Sequence, residues 1–132
     1  QTVTYLKFAM PAAPVGRTLA TAILTIRTMN SNGSGASTPQ YVRITTDGWS
    51  EATTTWSTKP SCTGTLVGSL ASAPAASTSY RIRLVGSTLM ASRTAGGKVN
   101  LSIVSTGSDL LTFGSSENST ATYQPTLTIT WK

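Results

Sequence analysis

"TLATAILTIRTM", residues 18–29, admits two readings, and the choice between them sets the fold. Its alanines suit a helix. The β-branched residues among them, Thr21, Ile23, Thr25 and Ile26, suit a strand, because branching at Cβ restricts the side chain in a helix and packs well on a pleated surface. Read as a strand, the segment sends Ala22, Leu24 and Ile26 to one side and Ile23, Thr25 and Arg27 to the other. The same two-residue period recurs along the chain. In "VTYLKFAM" (3–10), Thr4, Leu6, Phe8 and Met10 share one face, with Val3, Tyr5, Lys7 and Ala9 on the other. "YVRITT" (41–46) places Val42 and Ile44 inward and Tyr41, Arg43 and Thr45 outward. "YRIRLVG" (80–86) sets Tyr80, Ile82 and Leu84 against Arg81, Arg83 and Val85.

Further strands are expected at "TLVGSL" (65–70), "VNLSIVS" (99–105), "LLTFGS" (110–115) and "LTITWK" (127–132), the last with Leu127, Ile129 and Trp131 inward. "STLMASRTAGGK" (87–98) offers the one helical turn, ended by Gly96 and Gly97. "NSNGSGASTPQ" (30–40) reads as a flexible surface loop and "ASAPAAST" (71–78) as a low-complexity linker too short to separate domains. Six or seven short strands between turn signals predict an all-β, antiparallel sandwich, one domain over residues 1–132.

Composition agrees. The 132 residues suffice for a hydrophobic core without metals or disulfides, and Cys62 is the only cysteine, so no intrachain disulfide can form. Only 11% of residues are charged and histidine is absent. That profile, rich in Ser, Thr, Gly and Ala, favours a secreted or cell-surface module over a cytosolic enzyme. Ten Lys and Arg against four Asp and Glu give a net charge of +6, which attracts polyanions. Nucleic acid is disfavoured, because no recognition helix, RNP-like aromatic motif, zinc spacing or dense basic run is present. No apolar stretch approaches the roughly 18 residues of a membrane-spanning helix. The sequons at Asn32, Asn100 and Asn118 matter only in a eukaryotic secretory context.

"TTDGWSEATTTWSTKP", residues 45–60, concentrates two of the three tryptophans and two of the four carboxylates. As a catalytic site it would pair Asp47 with Glu51 across a glycosidic bond, but nothing fixes their facing and Ser50 has no base to activate it. No catalytic residue is therefore expected. Asp47 with loop carbonyls would suit a structural calcium, yet the repeated Asp spacing of a calcium loop is missing, and no cofactor is expected. The structural reading is favoured: Trp49 and Trp56 pack, Glu51 accepts bonds from local amides, and Pro60 ends the segment.

The order "TYLKF", "DGWSEATTTWSTKP", "VNLSIVS", "FGSSE" and "QPTLTITW" resembles the DNRLRE-type domain, which overlaps the family-96 carbohydrate-binding modules. The correspondence runs through Tyr5 to Phe8, Trp49 to Pro60, Phe113 to Glu117 and Pro125 to Trp131. It implies a jelly-roll β-sandwich in secreted multidomain proteins, with alginate binding in some members. Two departures stand out: Ser116 occupies the position of a late Arg, and the family's opening strand or strands do not precede Gln1. The second departure leads us to expect an unpaired edge, filled by a strand from the parent protein or a neighbouring subunit.

Lys7, Arg27, Arg43, Arg81, Arg83 and Lys132 all fall opposite the apolar alternation. Arg81 and Arg83, two apart on one strand, must share a face, and each guanidinium can grip a carboxylate through paired hydrogen bonds. The candidate ligand-binding set is Lys7, Arg43, Arg81 and Arg83, with Tyr5 and Tyr41 to stack on sugar rings. The expected partner is an acidic, alginate-like polysaccharide. The alternative is a structural or adhesive subunit of an extracellular assembly.

Overall fold

The computed structural model describes residues 2–105 and 107–132. Its strands are β1 (Thr2–Ala9), β2 (Leu19–Arg27), β3 (Gln40–Ile44), β4 (Leu66–Leu70), β5 (Ser79–Arg83), β6 (Lys98–Ser105) and β7 (Thr126–Trp131). They form two antiparallel sheets, β1-β6-β3-β4 and β5-β2-β7. One short helix, α1 (Gly86–Ala91), and a 3-10 turn at Ala121–Tyr123 complete the regular structure among the described residues. The molecule is an all-β, two-sheet sandwich.

The decisive segment is a strand, and it is central: β2 pairs with β5 on one side and β7 on the other. Its inward row of Ala22, Leu24 and Ile26 is fully buried. Leu24 lies opposite Ile82 on one neighbour and Leu127 on the other, so three strands contribute to one apolar row. The facing sheet supplies Leu6, Val42, Val67, Val99, Leu101 and Ile103 to the same core. Full burial of one such side chain is worth about 1.5–3 kcal/mol, and repetition of that gain at alternate positions locks the register.

Three expectations need correction. "LLTFGS" is not a strand: the segment meets the end of β2 only through an isolated bridge between Thr28 and Phe113. Gly114 there lies against Tyr123, where an added Cβ would come within 2.2 Å of the Tyr123 carbonyl oxygen, so the chain must follow that turn rather than extend a ladder. The loop at 30–40 and the linker at 71–78 are not loose either. Ala36 and Ala73, both buried, exchange backbone hydrogen bonds of 2.8 and 2.7 Å. Gly35 permits this approach, since a Cβ would sit 2.3 Å from the Pro74 oxygen. The helix, finally, stops at Ala91, ahead of the two glycines.

One feature of the four-stranded sheet prepares the site. Outer faces of antiparallel sandwiches are normally wet and polar. Here β6 is buried from Val99 through Ser105 on both faces. Something covers the outer face, and that cover is the segment after β3.

Candidate functional site

On the outer face of the four-stranded sheet, the register sets Tyr5 and Arg43 on either side of Ser102, and Lys7 beside Asn100. Residues 45–64 fold back over these side chains as a roof. The Thr45 amide donates to the Asn100 carbonyl at 3.0 Å. Lys7 Nζ donates to the Trp49 carbonyl at 2.8 Å and sits 3.4 Å from Asp47 Oδ1. The same ammonium lies 4.9 Å from the Trp49 ring centroid. Tyr5 Oη donates to the Pro60 carbonyl at 2.7 Å and its ring meets Trp49 at 5.8 Å, tilted by 54°. Arg43 Nη1 donates to the Gly64 carbonyl at 2.9 Å. The Gly48 amide, then Lys7 and Asn100, hold the Asp47 carboxyl below its ordinary value.

These contacts answer what the threonine- and tryptophan-rich stretch does locally. Asp47 is tied to an ammonium and an amide rather than facing Glu51 as a catalytic partner. Glu51 is exposed and its carboxylate takes part in no hydrogen bond among the described residues, so the expectation that it caps local amides is corrected. Under the roof, Asn100 Oδ1, Ser102 Oγ and Trp49 Nε1 are enclosed without a protein partner. Enclosing them is unfavourable, so the pins at Tyr5, Lys7 and Arg43 must outweigh that cost.

The two tryptophans of the stretch separate. Trp49 is half-buried against Tyr5 and Lys7, as expected of a packing residue. Trp56 is not a packing residue: 80% of it is exposed. It stands in a turn closed by the threonines around it. Thr58 N donates to the Thr55 carbonyl at 3.1 Å, and Thr55 N donates to Thr58 Oγ1 at 2.8 Å. Sequence reasoning missed Trp56 as a surface residue; the flanking "T-W-S-T", a hydroxyl-bracketed turn, was the available signal.

The outer face of the three-stranded sheet is different. Arg81 and Arg83 are exposed, as the alternation requires, and neither guanidinium has a hydrogen-bond or carboxylate partner among the described residues. Arg81 lies opposite Thr25, which lies opposite Thr126; Arg83 lies opposite Ile23, which lies opposite Thr128. At one end Arg27 reaches Ser79 Oγ at 3.3 Å and covers the Tyr123 ring at 5.2 Å. Bonds from Ser77 and Arg27 lower the Tyr123 phenol below its ordinary value.

The six candidate residues are thus divided. Tyr5, Lys7, Tyr41 and Arg43 lie on the outer side of one sheet, Arg81 and Arg83 on the outer side of the other, with the core between them. Of the first group, Tyr5, Lys7 and Arg43 already spend polar atoms on the roof.

A two-sheet β-sandwich with a long aromatic connection and outward cations fits a binding module. The model of carbohydrate-binding module family 96 matches residues 1–131, and the chain belongs to that family. No curated protein matches it. The protein is accordingly a carbohydrate-binding module, and such modules bind rather than transform their ligands.

Proposed function

We propose that this module is noncatalytic and attaches a larger secreted protein to an acidic, alginate-like polysaccharide. The observation that carries this reading is the pair Arg81 and Arg83: exposed, on one face, unpartnered, and bordered across the sheet by Thr25, Thr126 and Thr128. A uronate polymer presents carboxylates at regular intervals, and guanidinium forks bind carboxylates through paired, charge-assisted hydrogen bonds. Threonine hydroxyls alongside can bond to ring hydroxyls. On the other face Tyr5, Lys7 and Arg43 chiefly hold the roof, and Tyr41 stands beside them on the same side of the sheet.

Retardation in native gels containing alginate, pectate, a neutral glucan or DNA, at low and high salt, tests this. Selective retardation by the uronate polymers is expected, reduced on the order of tenfold by R81A/R83A. Equal retardation by DNA, abolished at high salt, would reduce the face to generic electrostatics.

A second reading has one specific observation in its favour. β1 is an edge strand of eight residues, and apart from its ladder to β6 no backbone hydrogen bond involves Thr2–Ala9 among the described residues. Beside it runs a groove of about 300 Å³ whose walls include Leu6, Phe8, Leu111, Phe113 and Pro125. A strand from the parent protein or a neighbouring subunit would complete the ladder and cover that apolar wall, as in a structural or adhesive assembly. Peptides from the parent protein should then protect the outward amides of β1 from hydrogen exchange. A chain that stays monomeric at every concentration, with those amides unaffected by any such peptide, would dismiss this reading.

A further inference from the structure

Isolated exposed apolar side chains are ordinary on protein surfaces and call for no explanation. Trp56 is set apart by what surrounds it. The Thr55–Thr58 turn is closed by backbone and hydroxyl bonds, including a 3.0 Å contact between the two threonine hydroxyls, so the indole is presented by a preformed support. Its base is tied down nearby, where Tyr5 donates to the Pro60 carbonyl. Lys59 Nζ lies 4.7 Å from the indole centroid and has no carboxylate partner among the described residues. Val3, Tyr5, Thr54 and Thr55 join these two residues around a shallow depression of about 210 Å³. That is smaller than the roughly 300 Å³ at which pockets for drug-sized ligands begin, and it suits a single sugar ring lying on a surface.

We propose that Trp56 and Lys59 form a second carbohydrate subsite, in which one pyranose ring of a uronate polymer stacks on the indole while the Lys59 ammonium swings aside from the ring to meet its carboxylate. The weakly positive C–H face of a pyranose complements the negative face of the indole. An ammonium so near the ring, and free of any protein carboxylate, complements a uronate rather than a neutral sugar. Preforming the turn removes an ordering cost that a loose loop would meet on binding. The subsite rests on the chain's being a carbohydrate-binding module, but not on Arg81 and Arg83, which lie on the opposite side of the sandwich.

Affinity electrophoresis in pectate and in fully methyl-esterified pectin separates the two contributions, because esterification keeps the rings and removes the charge. W56A should weaken retardation in both polymers by about tenfold, and W56F should recover most of it. K59M should weaken binding to pectate several-fold and leave the ester unchanged. The unfolding midpoints of all three should match the wild type, since neither side chain is in the core. If W56A is retarded like the wild type while R81A/R83A is not, the subsite is wrong and the proposed function stands. Equal losses by K59M in both polymers would remove the lysine's role. If neither polymer nor alginate retards the wild type, the acidic-polysaccharide reading fails, and this subsite with it.

Discussion

The two outer faces of the sandwich follow the same rule of strand alternation and end in opposite states. On the four-stranded sheet, Lys7 and Arg43 point outward and are then spent: one binds Asp47 and the Trp49 carbonyl, the other the Gly64 carbonyl. On the three-stranded sheet, Arg81 and Arg83 point outward and remain in water. What separates them is connectivity. The chain from β3 to β4 folds back over its own sheet, whereas on the other face the turn at Ala121–Tyr123 reaches Arg27 and leaves Arg81 and Arg83 exposed. An outward cation is therefore left without a protein partner only where no connection claims it first.

The comparison breaks most visibly if the roof is released. Lys7→Met keeps the stem and removes the charge, losing the charged donor to Trp49, the pair with Asp47 and the contact with the indole. A hydrogen bond from a charged group is worth about 1.5–3 kcal/mol, and an exposed ion pair adds little. We expect the roof to open locally at a cost of about 1–2 kcal/mol, read as faster hydrogen exchange at the Thr45 and Thr54 amides and a change in Trp49 emission. Unaltered protection across residues 45–60 would show that Lys7 is surface decoration.

Acid should loosen the same cover more gently. Asp47 is lowered below 3.8, first by the Gly48 amide and then by Lys7, and Asp109 is lowered by the amide and hydroxyl of Ser37. A carboxyl depressed in the folded state contributes stability that is fully present above its unfolded value. That contribution is lost as pH falls through the folded one. Asp47 is exposed and Asp109 only half-buried, so the effect is small and confined to pH below about 4. Roof amides should exchange faster at pH 3 than at pH 5 after correction for intrinsic rates. In the Asp47→Asn variant that difference should shrink, and a difference of the same size there would place the acid effect elsewhere.

Most of the strand framework was legible in the sequence because alternation is local: Ala22, Leu24 and Ile26 are inward in any sheet that contains them. The outward direction of every candidate cation was legible for the same reason. Which sheet each strand joins was not, since Arg43 and Arg81 have the same local pattern and differ only in long-range pairing. The tryptophans illustrate the same limit. Trp49 and Trp56 share one stretch, and Trp49 is covered only because Tyr5 and Lys7, some forty residues earlier, lie where the roof comes down. "LLTFGS" failed differently: it has strand composition, but the contact at Gly114 with Tyr123 steers it away from a ladder.

The smallest expected effect on stability is the one that sharpens the comparison furthest. Arg81 and Arg83 make no contact that folding needs, so R81A/R83A should leave the unfolding free energy within about 0.5 kcal/mol of the wild type. Removing two like charges from a chain of net charge +6 can even favour the compact state slightly. The same variant should hold uronate polymers about tenfold more weakly. The work of the strand cations would then be divided between the faces, those of one face holding the protein together and those of the other free to hold a ligand. A clear drop in the denaturant midpoint of R81A/R83A would reverse that division, because it would mean that the bare face also serves the fold.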